Sequence, residues 1–239
     1  MDENNKNSNI TQIALVALLV VASFFVGILS NRIKQPESND IAQVPAETGN
    51  VAGAEVPGVV SIEDALLSLD LNQEEFYACL DSGEFAQRVE DELQSGVKAG
   101  VSGTPGNILF DTQTGLALNI AGALPMEMLE ESLDDLKSGN GIDIDVDPIT
   151  ADDYIRGDSN SRFILFEYSD YECPYCGMFH ETAKEFIENH EGEVAWVYRQ
   201  FPLDELHPNT RKKSEAVLCA GKIEGNDAFW ALSDALVGL

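Results

Sequence analysis

The sequence predicts an α/β fold, and two groups of segments indicate it. The apolar stretches RFILFEY (162–168) and VAWVY (194–198) are typical of buried strands, and residues 173–190 between them have helical periodicity. Upstream, NILF and LALNI flank the turn DTQTG, which indicates a hairpin, and PMEMLEESLDDLKSG follows as an amphipathic helix. The chain therefore combines a β-β-α unit over 104–139 with a β-α-β unit that begins at residue 162.

The N-terminal quarter of the chain is different in composition. Residues 10–30 contain the uncharged run IALVALLVVASFFVGIL, and the segment is about as long as a bilayer-crossing helix requires. Since no small-residue cleavage site follows directly, we predict an uncleaved signal anchor rather than a cleaved signal peptide or a buried core helix. Residues 1–9 are then a short tail, and residues 31–60, rich in Pro, Gly, Ala and Asn, are a flexible linker.

The charge of the chain limits its partners. There are 42 acidic and 14 basic residues, and the formal net charge is −28. Such a surface repels phosphate backbones and anionic lipids, so we expect no nucleic acid partner.

Two of the four cysteines form the motif C-P-Y-C at the junction of a strand and a helix. A sulfur at a helix N-terminus is stabilised as a thiolate, and a second sulfur one turn later, Cys176, allows a disulfide that exchanges with other thiols. Asp170 and Glu172 precede Cys173 and are expected to raise its pKa by repulsion. Two alternatives stay open: a zinc site that also uses His180, and a static structural disulfide.

Several stretches together resemble the membrane-tethered DsbA-like thiol–disulfide oxidoreductases of bacteria. They are FILFEYSDYECPYCGMFHE, VAWVYRQFPLDELHPNT, SEAVLCAG, AFW, FYACLDSGEFAQRVEDE and GVSGTPGNILF. The resemblance covers most of residues 61–239 and implies a thioredoxin-like fold with a helical insertion. It also implies an enzyme that introduces or exchanges disulfides, with no cofactor beyond its redox-active cysteine pair. The alternatives are a disulfide reductase or isomerase of the same fold, and a non-catalytic thioredoxin-like binding module.

The same resemblance implies the roles of individual residues. Cys173 is the reactive sulfur, Cys176 is its buried partner, and Glu167 lies behind the pair and helps to move a proton. The peptide bond between Thr104 and Pro105 is expected to be cis and to lie against the two cysteines, where the loop holds the substrate by its backbone. The residues expected to contact the substrate are Thr104, Pro105, Pro174 and Tyr175.

The order of the units departs from that family. Residues 61–139 correspond to the C-terminal half of the fold and residues 162–239 to the N-terminal half with CPYC, so we expect a circular permutation in which residues 140–161 join the old ends. A misassembled gene, or fragments of two tandem domains that complete one another between chains, are the alternatives. Some members of the family have a second disulfide between comparable helices. The resemblance therefore implies a structural disulfide between Cys79 and Cys219, rather than two buried free thiols.

The resemblance also implies partners and location. The expected partners are cysteine-containing substrate proteins and a membrane quinone-linked thiol oxidase that recycles the enzyme. The chain is expected in the cell membrane as a single-pass protein, with its catalytic domain on the extracytoplasmic side. Arg32 and Lys34 after the apolar run weakly favour the opposite orientation, and we give the chemistry of the cysteines more weight.

Overall fold

The computed structural model describes residues 60–67 and 69–237. The predicted tail and signal anchor, and all of the predicted linker except residue 60, lie outside the described residues. Among the residues that it describes, no helix is both long and apolar enough to span a bilayer.

The described part of the chain consists of a five-stranded sheet and seven helices. The helices are α1 (Ile62–Leu66), α2 (Gln73–Ser82), α3 (Ala86–Lys98), α4 (Met126–Lys137), α5 (Pro174–Asn189), α6 (Thr210–Glu224) and α7 (Asn226–Leu236). The strands are β1 (Gly106–Asp111), β2 (Ala117–Ala121), β3 (Ile155–Arg156), β4 (Phe163–Ser169) and β5 (Val194–Gln200). Both predicted units, β1-β2-α4 and β4-α5-β5, are therefore present.

The two units share one mixed sheet, with the strand order β2-β1-β4-β5-β3. Strand β1 pairs antiparallel with β2 and with β4, while β4 and β5 are parallel. The central strands β4 and β5 are buried along their whole length, which explains why their sequences are almost continuously apolar. The pairing of β1 with β4 thus joins the two halves within a single chain.

The polar sequence of residues 140–161 predicts only a segment that joins the two halves. The structure shows that this segment is ordered and contains a strand. Residues 155–156 form strand β3, which pairs antiparallel with the edge of β5. Ile144, Val146 and Ile149 pack against the face of the sheet that does not carry α5. Arg199 donates hydrogen bonds to the carbonyl oxygens of Asp147 and Pro148, at 2.9 and 3.2 Å. The segment is ordered because spaced apolar side chains and one buried arginine fix it to the sheet.

A disulfide lies in the apolar cluster on the α5 side of the sheet. Cys79 in α2 and Cys219 in α6 are bonded, with an S–S distance of 1.97 Å and a sequence separation of 140. Both are buried, with 7% and 1% of their surface exposed. The bond links the two sequence halves at a second place, away from the sheet.

Candidate active site

Strand β4 leads directly to the CPYC motif. The strand ends at Ser169, and Cys173 is the N-cap residue of α5, with Pro174 in the first turn, where its missing N–H has no cost. Cys173 and Cys176 are both free thiols; 9% of the surface of Cys173 is exposed, against 1% for Cys176. Cys173 is therefore the more exposed residue of the pair, although both are largely buried.

The loop before β1 lies against this sulfur. The peptide bond between Thr104 and Pro105 is cis, as expected. The Sγ of Cys173 lies 3.6 Å from the carbonyl oxygen of Thr104. The hydroxyl of Thr104 is buried and has no hydrogen-bond partner. The opening of the site thus brings together one reactive sulfur and a loop with an available hydroxyl group.

The two sulfurs have opposite acidities. The pKa of Cys173 is lowered, chiefly by the thiol of Cys176 and further by the Thr104 side chain and the N–H groups at the start of α5, against the effect of burial. The pKa of Cys176 is raised, first by its burial and then by the neighbouring Cys173 and Glu167. Near neutral pH the reduced pair therefore contains a Cys173 thiolate and a Cys176 thiol.

Glu167 lies on β4 beneath the pair and is completely buried. Neither of its carboxyl oxygens has a hydrogen-bond partner. Burial raises its pKa from 4.5 to about 8, although Ser169 and Trp196 nearby lower it somewhat without completing a hydrogen bond. At neutral pH the group is a protonated acid next to Cys176.

Asp170 and Glu172 were expected to raise the pKa of Cys173 in opposition to the helix start, and the pKa is lowered overall by other groups. Glu172 lies 3.2 Å from the buried ammonium of Lys213, which offsets its charge. Asp170 is fully buried and its carboxylate is surrounded by hydrogen-bond partners. These partners are the backbone N–H groups of Glu172 and Leu203 and the side chains of His207 and Thr210. Both acids fix the loop before CPYC.

The remaining predicted residues lie at the surface or face away. Pro174 is exposed, and 63% of the surface of Tyr175 is exposed beside Cys173. Met178, one turn further along α5, is 64% exposed and was not predicted as part of the site. His180, considered as a zinc ligand, is buried with its Nε2 2.7 Å from Asp234. The first two turns of α5 thus expose two large side chains, Tyr175 and Met178, in a chain that is strongly acidic.

A set of polar side chains that was not predicted lies beneath the cysteines. Ser169 follows Glu167 on the same face of β4, and Trp196 and Tyr198 lie opposite on β5, where Tyr198 is the register partner of Glu167. The alternation in VAWVYRQ does place Trp196, Tyr198 and Gln200 on one face. The register between β4 and β5, which brings that face to Glu167, has no local sequence pattern.

The comparisons with known proteins cover parts of the chain. Residues 150–237 match a family model described as Thioredoxin. The Na(+)/H(+) antiporter NhaA 1 of Salinispora arenicola is 32% identical over 125 residues, or 52% of this chain and 18% of that protein. The NhaA 3 antiporter of Salinispora tropica is 33% identical over 91 residues, or 38% of this chain and 13% of that protein. The chain thus matches less than a fifth of the length of these relatives.

One solved structure is also similar in sequence. Pseudomonas aeruginosa DsbA2 is 31% identical over 37% of this chain and 48% of that chain, with a TM-score of 0.34, which is too low to establish a shared fold. The part of this chain that is similar to the Thioredoxin family, residues 150–237, contains the strand–CPYC–helix unit and strand β5 of the mixed sheet.

Proposed function

We propose that this chain is a DsbA-like thiol–disulfide oxidoreductase that introduces disulfides into substrate proteins. One observation carries the proposal: the Cys173 sulfur has a lowered pKa and lies at a helix start, 3.6 Å from the cis-proline loop, and its partner sulfur is buried beside a protonated carboxyl group. A sulfur in this setting reacts with other thiols, whereas a buried structural pair does not.

The first step is attack on the oxidised pair. A substrate thiolate attacks Cys173 Sγ, forming a mixed disulfide, and the bond between Cys173 and Cys176 breaks. The electron pair of that bond goes to Cys176 Sγ. The thiolate form of this sulfur is unfavourable because burial raises its pKa. Glu167 supplies the proton that Cys176 needs, since its raised pKa keeps it protonated at neutral pH.

The second step releases the product. A second substrate thiolate attacks the substrate sulfur of the mixed disulfide, and Cys173 leaves as a thiolate. Two substrate thiolates have then become a disulfide, and the enzyme pair is reduced. Thr104 and Pro105 hold the peptide by its backbone, with Pro174 and Tyr175 at the edge. A membrane quinone-linked thiol oxidase then restores the oxidised pair.

The acidity of Cys173 supports the direction of the reaction. A stabilised thiolate favours the reduced enzyme, and a disulfide whose reduced form is stable is a strong oxidant. This observation favours an oxidase over a reductase or isomerase.

The proposal includes a tethered and permuted domain. The β1-β2-α4 unit precedes the β4-α5-β5 unit in the chain, and both pair in one sheet, which supports a circular permutation in which residues 140–161 join the old ends. The apolar run at 10–30 supports a single-pass anchor with the domain on the extracytoplasmic side, where disulfides persist. The matched relatives are named as antiporters, which agrees with a thioredoxin-like domain attached to a membrane protein.

The test is a redox titration of the full chain in mild detergent. The chain is equilibrated in glutathione buffers, and mass spectrometry follows each cysteine pair. We expect the Cys173–Cys176 couple to be reduced in mildly reducing buffers while Cys79–Cys219 resists. A couple that stays oxidised until the buffers are strongly reducing would instead identify a reductase.

A trapping experiment separates an enzyme from a binding module. Cys176→Ser, mixed with the disulfide-linked dimer of a peptide that has one cysteine, is expected to accumulate a mixed disulfide at Cys173. The Cys173 thiolate displaces one peptide thiolate, and neither Cys176 nor a second substrate thiol is present to resolve the product. The matched control, Cys173→Ser, is expected to accumulate none. If neither variant forms a mixed disulfide, the non-catalytic module is the better description.

A further inference from the structure

One face of the sheet beneath the cysteine pair carries four buried donors without partners. They are the hydroxyl of Ser169, the indole N–H of Trp196, the hydroxyl of Tyr198 and the side-chain amide of Gln200, each in a side chain with at most 3% of its surface exposed. Buried polar groups in folded proteins are almost always hydrogen-bonded. Four exceptions on one face therefore require an explanation.

Three of these donors occupy strand positions next to one carboxyl group, and Gln200 lies further along β5, opposite Ser169. Tyr198 is the register partner of Glu167, Trp196 is the partner of Leu165 two residues before it, and Ser169 lies two residues after it. The side chains of the four donors and of Glu167 thus project from the same face of β4 and β5. The oxygens of Glu167 likewise have no partner. A protonated carboxyl group needs few donors, whereas a carboxylate accepts several.

We propose that Ser169, Trp196 and Tyr198 form a donor cradle that receives the Glu167 carboxylate at the moment Glu167 gives its proton to Cys176. The inference rests on the proposed function. As the disulfide breaks, its electron pair passes to Cys176 Sγ and the proton moves from Glu167 to that sulfur. The negative charge then lies on Glu167 until solvent returns a proton, and the three positioning residues donate to it.

The titratable groups that face Glu167 are few. Helix α5 contributes Cys173 and Cys176, the loop after β4 contributes Tyr171, and β5 contributes Tyr198. Strand β1 contributes only the uncharged Asn107, the register partner of Glu167. Among these described neighbours there is no cation to hold the carboxylate, so neutral donors are left for that role. Ser169 and Trp196 already lower the pKa of Glu167 against its burial.

The test removes one donor at a time with little change of shape. The variants are Ser169→Ala, Trp196→Phe and Tyr198→Phe, and the matched control is Tyr168→Phe. Tyr168 is equally buried, but its hydroxyl lies on the opposite face of β4 and is bonded to Ser95 and Arg199. The carboxyl pKa of Glu167 is measured by carbon NMR of the full chain labelled at glutamate, with Glu167→Gln for assignment.

Each donor variant is expected to raise the carboxyl pKa of Glu167 above its wild-type value. Because Glu167 then stays protonated to higher pH, the alkaline limb of the pH profile for dithiol oxidation should move to higher pH. Because Glu167 is also a weaker acid, the rate at neutral pH should fall about three- to tenfold. The control should leave both unchanged. A purely structural role would lower stability without moving the limb.

Two failures are distinguishable. If the wild-type chain exchanges no disulfide with a dithiol peptide, the proposed function is overturned. If exchange is intact but none of the three variants moves the pKa of Glu167, or Tyr168→Phe moves it equally, the cradle alone is overturned. The NMR titration requires no activity, so it reports on the cradle directly.

Discussion

The two cysteine pairs of this chain have the same chemistry and opposite surroundings. Cys79 and Cys219 are 140 residues apart and lie bonded in an apolar cluster between two helices. Cys173 and Cys176 are free, lie at a helix start, and face a buried acid and the cis-proline loop. This difference indicates that the surroundings of a cysteine pair, rather than the sulfur itself, determine whether the pair is structural or reactive.

Removing the structural pair should have the largest effect. Cys79→Ala/Cys219→Ala reopens a 140-residue loop, so we expect a loss of about 5 kcal/mol in the free energy of unfolding by the chain-entropy relation. Urea unfolding of the oxidised protein measures it. The matched variant Cys173→Ala/Cys176→Ala removes a pair whose disulfide encloses only a very short loop. Its free energy of unfolding should therefore fall far less. Equal losses in the two variants would remove the distinction between the pairs.

Glu167 should make the stability of the reactive region depend on pH. Its pKa is raised from 4.5 to about 8 on folding, so the folded state holds a proton that the unfolded state releases. The contribution of this proton to the free energy of unfolding is fully present below pH 4.5 and is lost as the pH rises to 8. At pH 7 about 3 kcal/mol of it has been lost. Unfolding curves of wild type and Glu167→Gln should therefore diverge between pH 4.5 and 8. Parallel pH dependences would mean that Glu167 is ionised in the folded protein.

The Thr104 hydroxyl should have the smallest effect. Thr104→Val removes the side-chain hydroxyl that lowers the pKa of Cys173, so we expect the pKa of that thiol to rise, by about 1 at most. Thiolate absorbance near 240 nm as a function of pH measures it. Ser102→Ala, an exposed hydroxyl in the same loop, serves as control and should leave the titration unchanged. A fall in the pKa of Cys173 in Thr104→Val would contradict the role of this donor.

Local patterns in the sequence predict the main elements well. The apolar runs at 162–168 and 194–198 are β4 and β5, and the DTQTG turn joins β1 to β2. Strand β3 was missed because it has two residues in an acidic stretch, and only its pairing with β5 defines it. A two-residue strand has no periodicity to detect.

The candidate site also contains some residues that the sequence predicts and others that depend on long-range pairing. The CPYC motif at the helix start is visible in the sequence, and the resemblance supplied the expected positions of Glu167 and Thr104. The donors on β5 were not predictable, because Trp196 and Tyr198 are typical core residues until the register places them beside Glu167. His180 was named as a possible zinc ligand, and its partner Asp234 comes from a helix 54 residues later. Long-range register and packing are the missing information in both cases.

The position of β4 in the chain has a consequence for biosynthesis. The hairpin of β1 and β2 is complete at Ala121, but the strand that covers the other edge of β1 begins only at Phe163. While the ribosome synthesises the residues between them, β1 presents unpaired backbone groups and an apolar face. The nascent chain is therefore open to strand exchange with other polypeptides during that interval, and a holding chaperone acting then would protect the yield of folded protein.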